Sequence, residues 1–498
     1  MMSRAIRTVL FLFLVFTFIE AYAGLTDLLD SAAYPDVRAA LTDYERAEYD
    51  RIKISGNTIT YDRPLIHLYL LASGVDNAAD MQRYTSQYDA LIKKAKSGLS
   101  AAKYNRYNTA EYLLHFLHDE LFKNETAIQD NGFNIGIRET FDKGSFNCYK
   151  SALIYTSVLE SFGYECYYVL VPMHIYCVVK IDGREIEVET TNRYGFDPHD
   201  RGAPASKRVL DKSGVIFDKK NYSNRQMVDT VSVVNIILNS RLLLYAGDMK
   251  HPSEQVPQSF ERAAALGMAA FYINNGDGNI KNNLQNVLFH IADSASQKQT
   301  SQFAAQYTRM RAFVGRSEFA GSNDFSIRNL GVLAANVADI QRKQTVPSIN
   351  SLPALAEFYL GQLEFVDQYI EKEDVHDNTQ YGTLLNFYND AKRYLNEEDL
   401  RSVEEYARFI KKVFYSPKKS SAASKKKYES MGAQFAIAAF SNHVAYLAQR
   451  RDYTQARRAA EYALEWLDDN DLYERESMRI LEQNYKELKR VTADVHSR

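Results

Sequence analysis

A nucleophile, a base and an acid occur together in one short stretch of this chain. Residues 144–198 read GSFNCYKSALIYTSVLESFGYECYYVLVPMHIYCVVKIDGREIEVETTNRYGFDP and contain all three cysteines of the 498-residue sequence. Cys148, His174 and Glu189 follow one another at intervals of 26 and 15 residues. A cysteine attacks carbon as its thiolate, an imidazole can take the thiol proton, and a carboxylate can orient and charge the imidazole. The chemistry these residue types suggest is therefore thiol-based acyl transfer, provided the fold brings them together.

The local pattern predicts where each one sits. After Cys148 the apolar residues Ala152, Leu153, Tyr155, Val158, Leu159 and Phe162 recur at helical spacing, and Gly163 stops the run. That predicts a helix of roughly four turns with Cys148 at or near its first position. A helix N-terminus presents unpaired N–H groups and partial positive charge, which favour a thiolate and a nearby oxyanion. Glu165–Val171 and Ile175–Ile181 are rich in Tyr, Val, Ile and Cys and are separated by Pro172-Met173, so they read as a β-hairpin with His174 where its second strand begins. Asp182-Gly183 then turns the chain into a third strand, Glu185–Thr190. Alternation there puts Glu185, Glu187 and Glu189 on one face, opposite Ile186 and Val188. Glu189 can then reach His174 only if the strand's end twists.

On these residues the stretch resembles the core of the transglutaminase-like superfamily of papain-like thiol enzymes, nearest to a bacterial branch. In that branch a Gly-x-x-Asn-Cys helix start is followed by a Pro-x-His strand and a Glu-Thr-Thr segment. The matching pieces are Gly144 to Asn147-Cys148, Pro172-Met173-His174, and Val188-Glu189-Thr190-Thr191-Asn192, with a similar tail at Tyr194-Gly195-Phe196-Asp197-Pro198. The resemblance runs from about Tyr107 to a little beyond Pro198. It implies that Cys148 is the nucleophile, His174 the base and then the acid, and Glu189 the group that orients the imidazole. The Cys148 backbone N–H would serve an oxyanion hole, with Asn147, Thr190 or Asn192 in support.

The other two cysteines leave two readings open. With a turn at Val171-Pro172, Cys166 and Cys177 sit opposite each other and could bridge. Otherwise they are two buried cysteines in a sheet. Three cysteines in all exclude a disulfide scaffold.

At the start of the chain, Arg4 and Arg7 precede the apolar run Val9–Ile19, and Ala21-Tyr22-Ala23 forms a small-x-small site before Gly24. This predicts a signal peptide over residues 1–23, cleaved after Ala23, and an exported protein, periplasmic or secreted. The run is 11 residues, too short to span a bilayer, and no later segment approaches the roughly 18 apolar residues a span needs, so no transmembrane segment is expected. A net charge of −3 argues against a nucleic-acid partner.

Between residues 25 and 122 the pattern is mostly helical, near Asp36–Ile52, Pro64–Ala72, Ala79–Lys96 and Thr109–Phe122. His115 and His118 lack a third placed ligand, so neither a metal site nor a cofactor is expected. Arg201–Asn224 is polar and reads as a linker. Beyond it nearly everything is amphipathic helix joined by short turns. Phe435–Leu467, with Ala438, Ala439, Ala445, Ala456, Ala459, Ala460 and Ala463, resembles a tetratricopeptide repeat. The run Lys418-Lys419 to Lys425-Lys426-Lys427 reads as an exposed basic loop.

The expected fold class is α+β: a transglutaminase-like, papain-like domain at 24–215, followed by an all-α tetratricopeptide-like domain at 225–490. The expected function is exported acyl transfer or hydrolysis on protein or peptide amides, with a possible protein partner on the helical domain. The alternatives are a catalytically silent envelope scaffold that recruits partners through its helices, and a cleft that binds peptide without turnover.

Overall fold

A computed structural model describes residues 25–31, 35–55, 58–100, 104–126, 135–171, 174–197, 224–249, 255–315 and 323–496. The expected signal peptide and its cleavage site after Ala23 lie outside these residues. So do the Pro172-Met173 turn, Pro198 and the linker from Arg201 to Ser223.

The chain divides into two compact units: residues 1–291 with 317–319, and residues 292–316 with 320–498. The first opens with α1 (Leu25–Ser31), α2 (Pro35–Ala39) and α3 (Asp43–Asp50), then a two-stranded hairpin of β1 (Lys53–Ser55) and β2 (Thr58–Thr60). The single helix expected over Asp36–Ile52 is thus two. Thr42 starts the second with a capping box: its hydroxyl accepts from the Glu45 N–H at 3.1 Å while its own N–H donates to the Glu45 carboxylate at 3.0 Å. Next come α4 (Leu65–Ala72), α5 (Ala78–Ser100), α6 (Arg106–Glu120), β3 (Asn124–Glu125), α7 (Arg138–Lys143), β4 (Ser145–Phe146) and α8 (Cys148–Ser161). β5 (Glu165–Val171), β6 (His174–Ile181), β7 (Arg184–Val188) and β8 (Gln226–Val228) form an antiparallel sheet in the order β7-β6-β5-β8. Helices α9 (Thr230–Ala246) and α10 (Phe260–Ile273) pack together, and α10 also packs on α1 and α2.

The division between units falls inside α11 (Gly278–Lys298). The second unit is built from α12 (Phe303–Val314), α13 (Asn323–Thr345), α14 (Leu352–Tyr369), α15 (Glu373–Ala391), α16 (Leu400–Phe414), α17 (Ala422–Gln449), α18 (Tyr453–Asp469) and α19 (Arg475–His496). Sequential helices pack on one another. At the α17–α18 contact Ala436, Ala439, Ala456, Ala460 and Ala463 are buried, and Phe440 packs on Trp466 at 5.2 Å between ring centroids. Small side chains there let the helices approach closely. Lys425, Lys426 and Lys427 are exposed but belong to the first turns of α17, so the basic run is helical over that part and not a loop.

The α+β, papain-like assignment is overturned. Of the described residues 72% are helical, in a repeat-like arrangement, and the sheets among them are small. The strands expected in the thiol stretch exist. These three strands and β8 make up one four-stranded layer among helices, too little sheet to set the class.

Candidate thiol site

The thiol is placed by how α8 begins. Gly144 ends α7 in the left-handed region at φ 66°, and a side chain there would press on Lys123 at 2.9 Å and on the Leu121 carbonyl at 3.0 Å. The Gly144 carbonyl accepts from Lys123 and Asn124, which aligns β3 parallel to β4. Asn147 then caps α8: its Oδ1 accepts from the Lys150 N–H at 3.0 Å, and its carbonyl accepts from both the N–H and the hydroxyl of Ser151. Cys148 occupies the first helical position and is 5% exposed. The helix is nearly all buried. Tyr155 donates to the Ala110 carbonyl at 2.9 Å, Tyr88 to the Ser157 carbonyl at 2.7 Å, and Thr156 shares its hydroxyl with Tyr168, which in turn bonds Tyr69.

His174 is the first residue of β6, paired with Val171 across the hairpin. Glu189 is fully buried and lies one residue beyond β7. Strand alternation ends there because the chain turns. Glu189 donates its N–H to the Gly195 carbonyl at 2.9 Å, its carbonyl accepts from Asn192, and Val188 bridges to Phe196. Released from the solvated face of Glu185 and Glu187, the Glu189 carboxylate meets His174 Nε2 with Oε2 at 2.7 Å. Cys148 also acts on the imidazole and favours its charged form. With Nε2 committed to the carboxylate, Nδ1 is the nitrogen left for the thiol. Burial alone would push the His174 pKa down. The Glu189 charge, Cys148 and the hydrogen bond to Glu189 outweigh it and hold the pKa at about 10.

The three predicted support residues have local duties. Asn147 is the helix cap, and Asn192 Oδ1 accepts from the Tyr194 N–H at 2.9 Å. Thr190 shares a hydrogen bond with the Ser151 hydroxyl at 2.7 Å, and His118 Nε2 lies 3.0 Å from its carbonyl. The turn carrying the acid is thus tied to both α8 and α6.

Two further residues matter to this site. Thr191 donates both its N–H, at 3.0 Å, and its hydroxyl, at 2.6 Å, to Glu189 Oε1, which leaves Oε2 for the imidazole. Gly195 allows the turn to close, since an added Cβ would lie 2.0 Å from the Glu189 carbonyl oxygen. Both stand in the motif segment. A strand-period reading gives them no role, because their work is done in a turn. Lys150 is also fully buried, two residues after the thiol, and pairs with Glu139 at 2.7 Å; burial lowers its pKa against the pull of that carboxylate.

The bridge between Cys166 and Cys177 is not formed. The register sets Cys166 against Val179 and Cys177 against Tyr168, and all three cysteines are free. Among the described residues no group of three or more His, Cys, Asp or Glu side chains is arranged to hold a metal, and no helix is long and apolar enough to cross a membrane.

No family model matches the chain, and no curated protein matches it. A solved structure of menin, described as revealing its binding site for Mixed Lineage Leukemia (MLL) protein, matches over 94% of this chain and 98% of that one, with 10% identity and a TM-score of 0.30. A likeness at that level carries no inference about fold or function.

Proposed function

We propose that Cys148, His174 and Glu189 form a thiol centre that transfers or hydrolyses the acyl groups of protein or peptide amides, in the manner of transglutaminase-like enzymes. The observation that carries this reading is the His174 imidazole hydrogen-bonded to a fully buried carboxylate, Glu189, at 2.7 Å, with the helix-start thiol of Cys148 among the groups that act on it. Cys148 and His174 start as a thiolate–imidazolium pair, the thiol proton already on the imidazole, and the thiolate sulfur attacks the amide carbon while the carbonyl electron pair moves onto oxygen. Collapse expels the amine, which receives the proton from His174, and leaves an acyl-thioester. Water or a second amine then attacks the thioester, the carbon–sulfur bond breaks, and the ion pair is restored. The N–H of Cys148, at the helix start, is the donor best placed for the developing oxyanion. The substrates are taken to be exported proteins, in line with the expected N-terminal signal.

A second reading, a catalytically silent interaction protein, draws on the burial of the thiol, which is only 5% exposed. A peptidyl vinyl sulfone separates the two. Its adduct, mapped by mass spectrometry, is expected on Cys148 in the wild type and absent in His174→Ala. Labelling at Cys166 alone, or equal labelling of Cys148 in both proteins, would favour the silent reading.

A further inference from the structure

The second unit contains a cavity of about 370 Å³ whose two walls are α13 and α15, with Tyr359 and Gln362 of α14 completing the lining. Its charged side chains are matched locally. Arg328 pairs with Asp374 at 3.5 Å, and Arg342 pairs with Asp339 at 3.3 Å and Asp390 at 3.6 Å. A neutral ligand therefore meets no uncompensated charge.

The α15 wall carries the informative residues. Asn378, Gly382 and Asn386 are spaced four residues apart and all line the cavity. Neither asparagine side chain is hydrogen-bonded to another described residue. A carboxamide both donates and accepts, which matches the N–H and C=O of a peptide group. Gly382 lies between them in the interior of a helix, where glycine is less stable than alanine. Close packing explains two other helix-interior glycines of this unit. An added Cβ at Gly331 would lie 3.1 Å from Ile370 and Val375, and one at Gly432 would lie 2.7 Å from Phe414. At Gly382 it meets nothing within 4 Å. Gly361 is equally open but faces solvent outside the cavity. The bare backbone at Gly382 is thus a cradle that the protein itself does not fill.

We propose that this cavity binds an extended peptide segment of another protein, its main chain laid against Gly382 and hydrogen-bonded by Asn378 and Asn386. The spacing fits. Eight residues of helix advance about 12 Å, which is about four residues of extended chain at ~3.3 Å each. Opposite, on α13, half-exposed Val332 and neighbouring Ala335 offer an aliphatic contact to one peptide side chain. The inference does not rest on the thiol centre.

The test uses the full chain with Cys148→Ala, screened against displayed linear heptapeptides and counter-selected on the same chain carrying Gly382→Phe. The expected result is an enriched set with an aliphatic residue near its centre. Synthetic members should bind the wild type by fluorescence anisotropy and lose roughly tenfold in affinity with Asn378→Ala or Asn386→Ala. Gly382→Gln provides the block should Gly382→Phe fail to fold, and Gly382→Ala is expected to keep or raise Tm. Three results would overturn the proposal: no enrichment over the counter-selection, peptides indifferent to all of these changes, or a change of oligomeric mass on blocking Gly382, which would make the cavity an interface between copies.

Discussion

His174 is where the energetics of the site concentrate. Its ring is 12% exposed and sits against a carboxylate with no exposure at all, so its charged form depends on that partner. Its folded pKa, about 10, lies above the ordinary value of 6.5. A raised pKa means that the folded state holds a proton the unfolded state has released. The stabilisation is complete below about pH 6.5 and is lost as pH rises towards 10. The Tm of the wild type should accordingly fall more steeply across that window than the Tm of His174→Gln; parallel curves would show that the imidazole is not charged in the fold. Turnover should fall by roughly 10²–10⁴-fold in His174→Ala, and by less in Glu189→Gln, which keeps the shape of the acid. Thr191→Val removes one hydroxyl bond to Glu189 but keeps the backbone bond. It should cost turnover several-fold, about the worth of one hydrogen bond near 1 kcal/mol, and kcat should move while KM does not.

At the level of elements, the span of α8 was legible because its apolar period and its stop signal are local, while the cap at its start was not read. Asn147 caps the helix, and Gly163, at φ 76°, lies just past its end. The hairpin was legible from its β-branched and aromatic runs, and His174 does open its second strand. Its register was not. Strand sequence fixes which faces alternate but leaves the pairing free by two residues, and that freedom separates Cys166 from Cys177. Glu189 was misplaced for a related reason: alternation was carried one residue past the end of β7, into a turn that Gly195 makes possible. Gly195→Ala tests this directly. Crowding against the Glu189 carbonyl should cost about 1–3 kcal/mol of stability by urea denaturation, and should move the acid enough to lower turnover in molecules that still fold. A variant as stable and active as wild type would refute the close approach.

The error over the whole molecule was one of weighting. Three motifs in a row drew attention to strands, while the helical periodicity on either side, from residue 25 to 120 and from 230 to 496, set the composition of the fold. Long-range ties in the first unit were also out of reach, because nothing in a one-dimensional pattern pairs residues 217 positions apart. Glu45 is an example. It caps α3 and also receives both Nη atoms of Arg262 at 2.6 Å, with Arg241 at 3.9 Å. All three side chains are largely or wholly buried, so removing one partner strands a charge. Arg262→Met should cost about 3–5 kcal/mol by urea denaturation, whereas a loss below about 1 kcal/mol would mean that solvent already reaches the pair.

The central claim is that His174 activates Cys148, and the pH dependence of Cys148 alkylation measures it most directly. Iodoacetamide labelling at that residue, followed by mass spectrometry, should stay fast well below pH 7 in the wild type and lose that acid-side reactivity in His174→Ala. Labelling that rises only near pH 8.5, as for an ordinary thiol, and is the same in both proteins, would contradict the account.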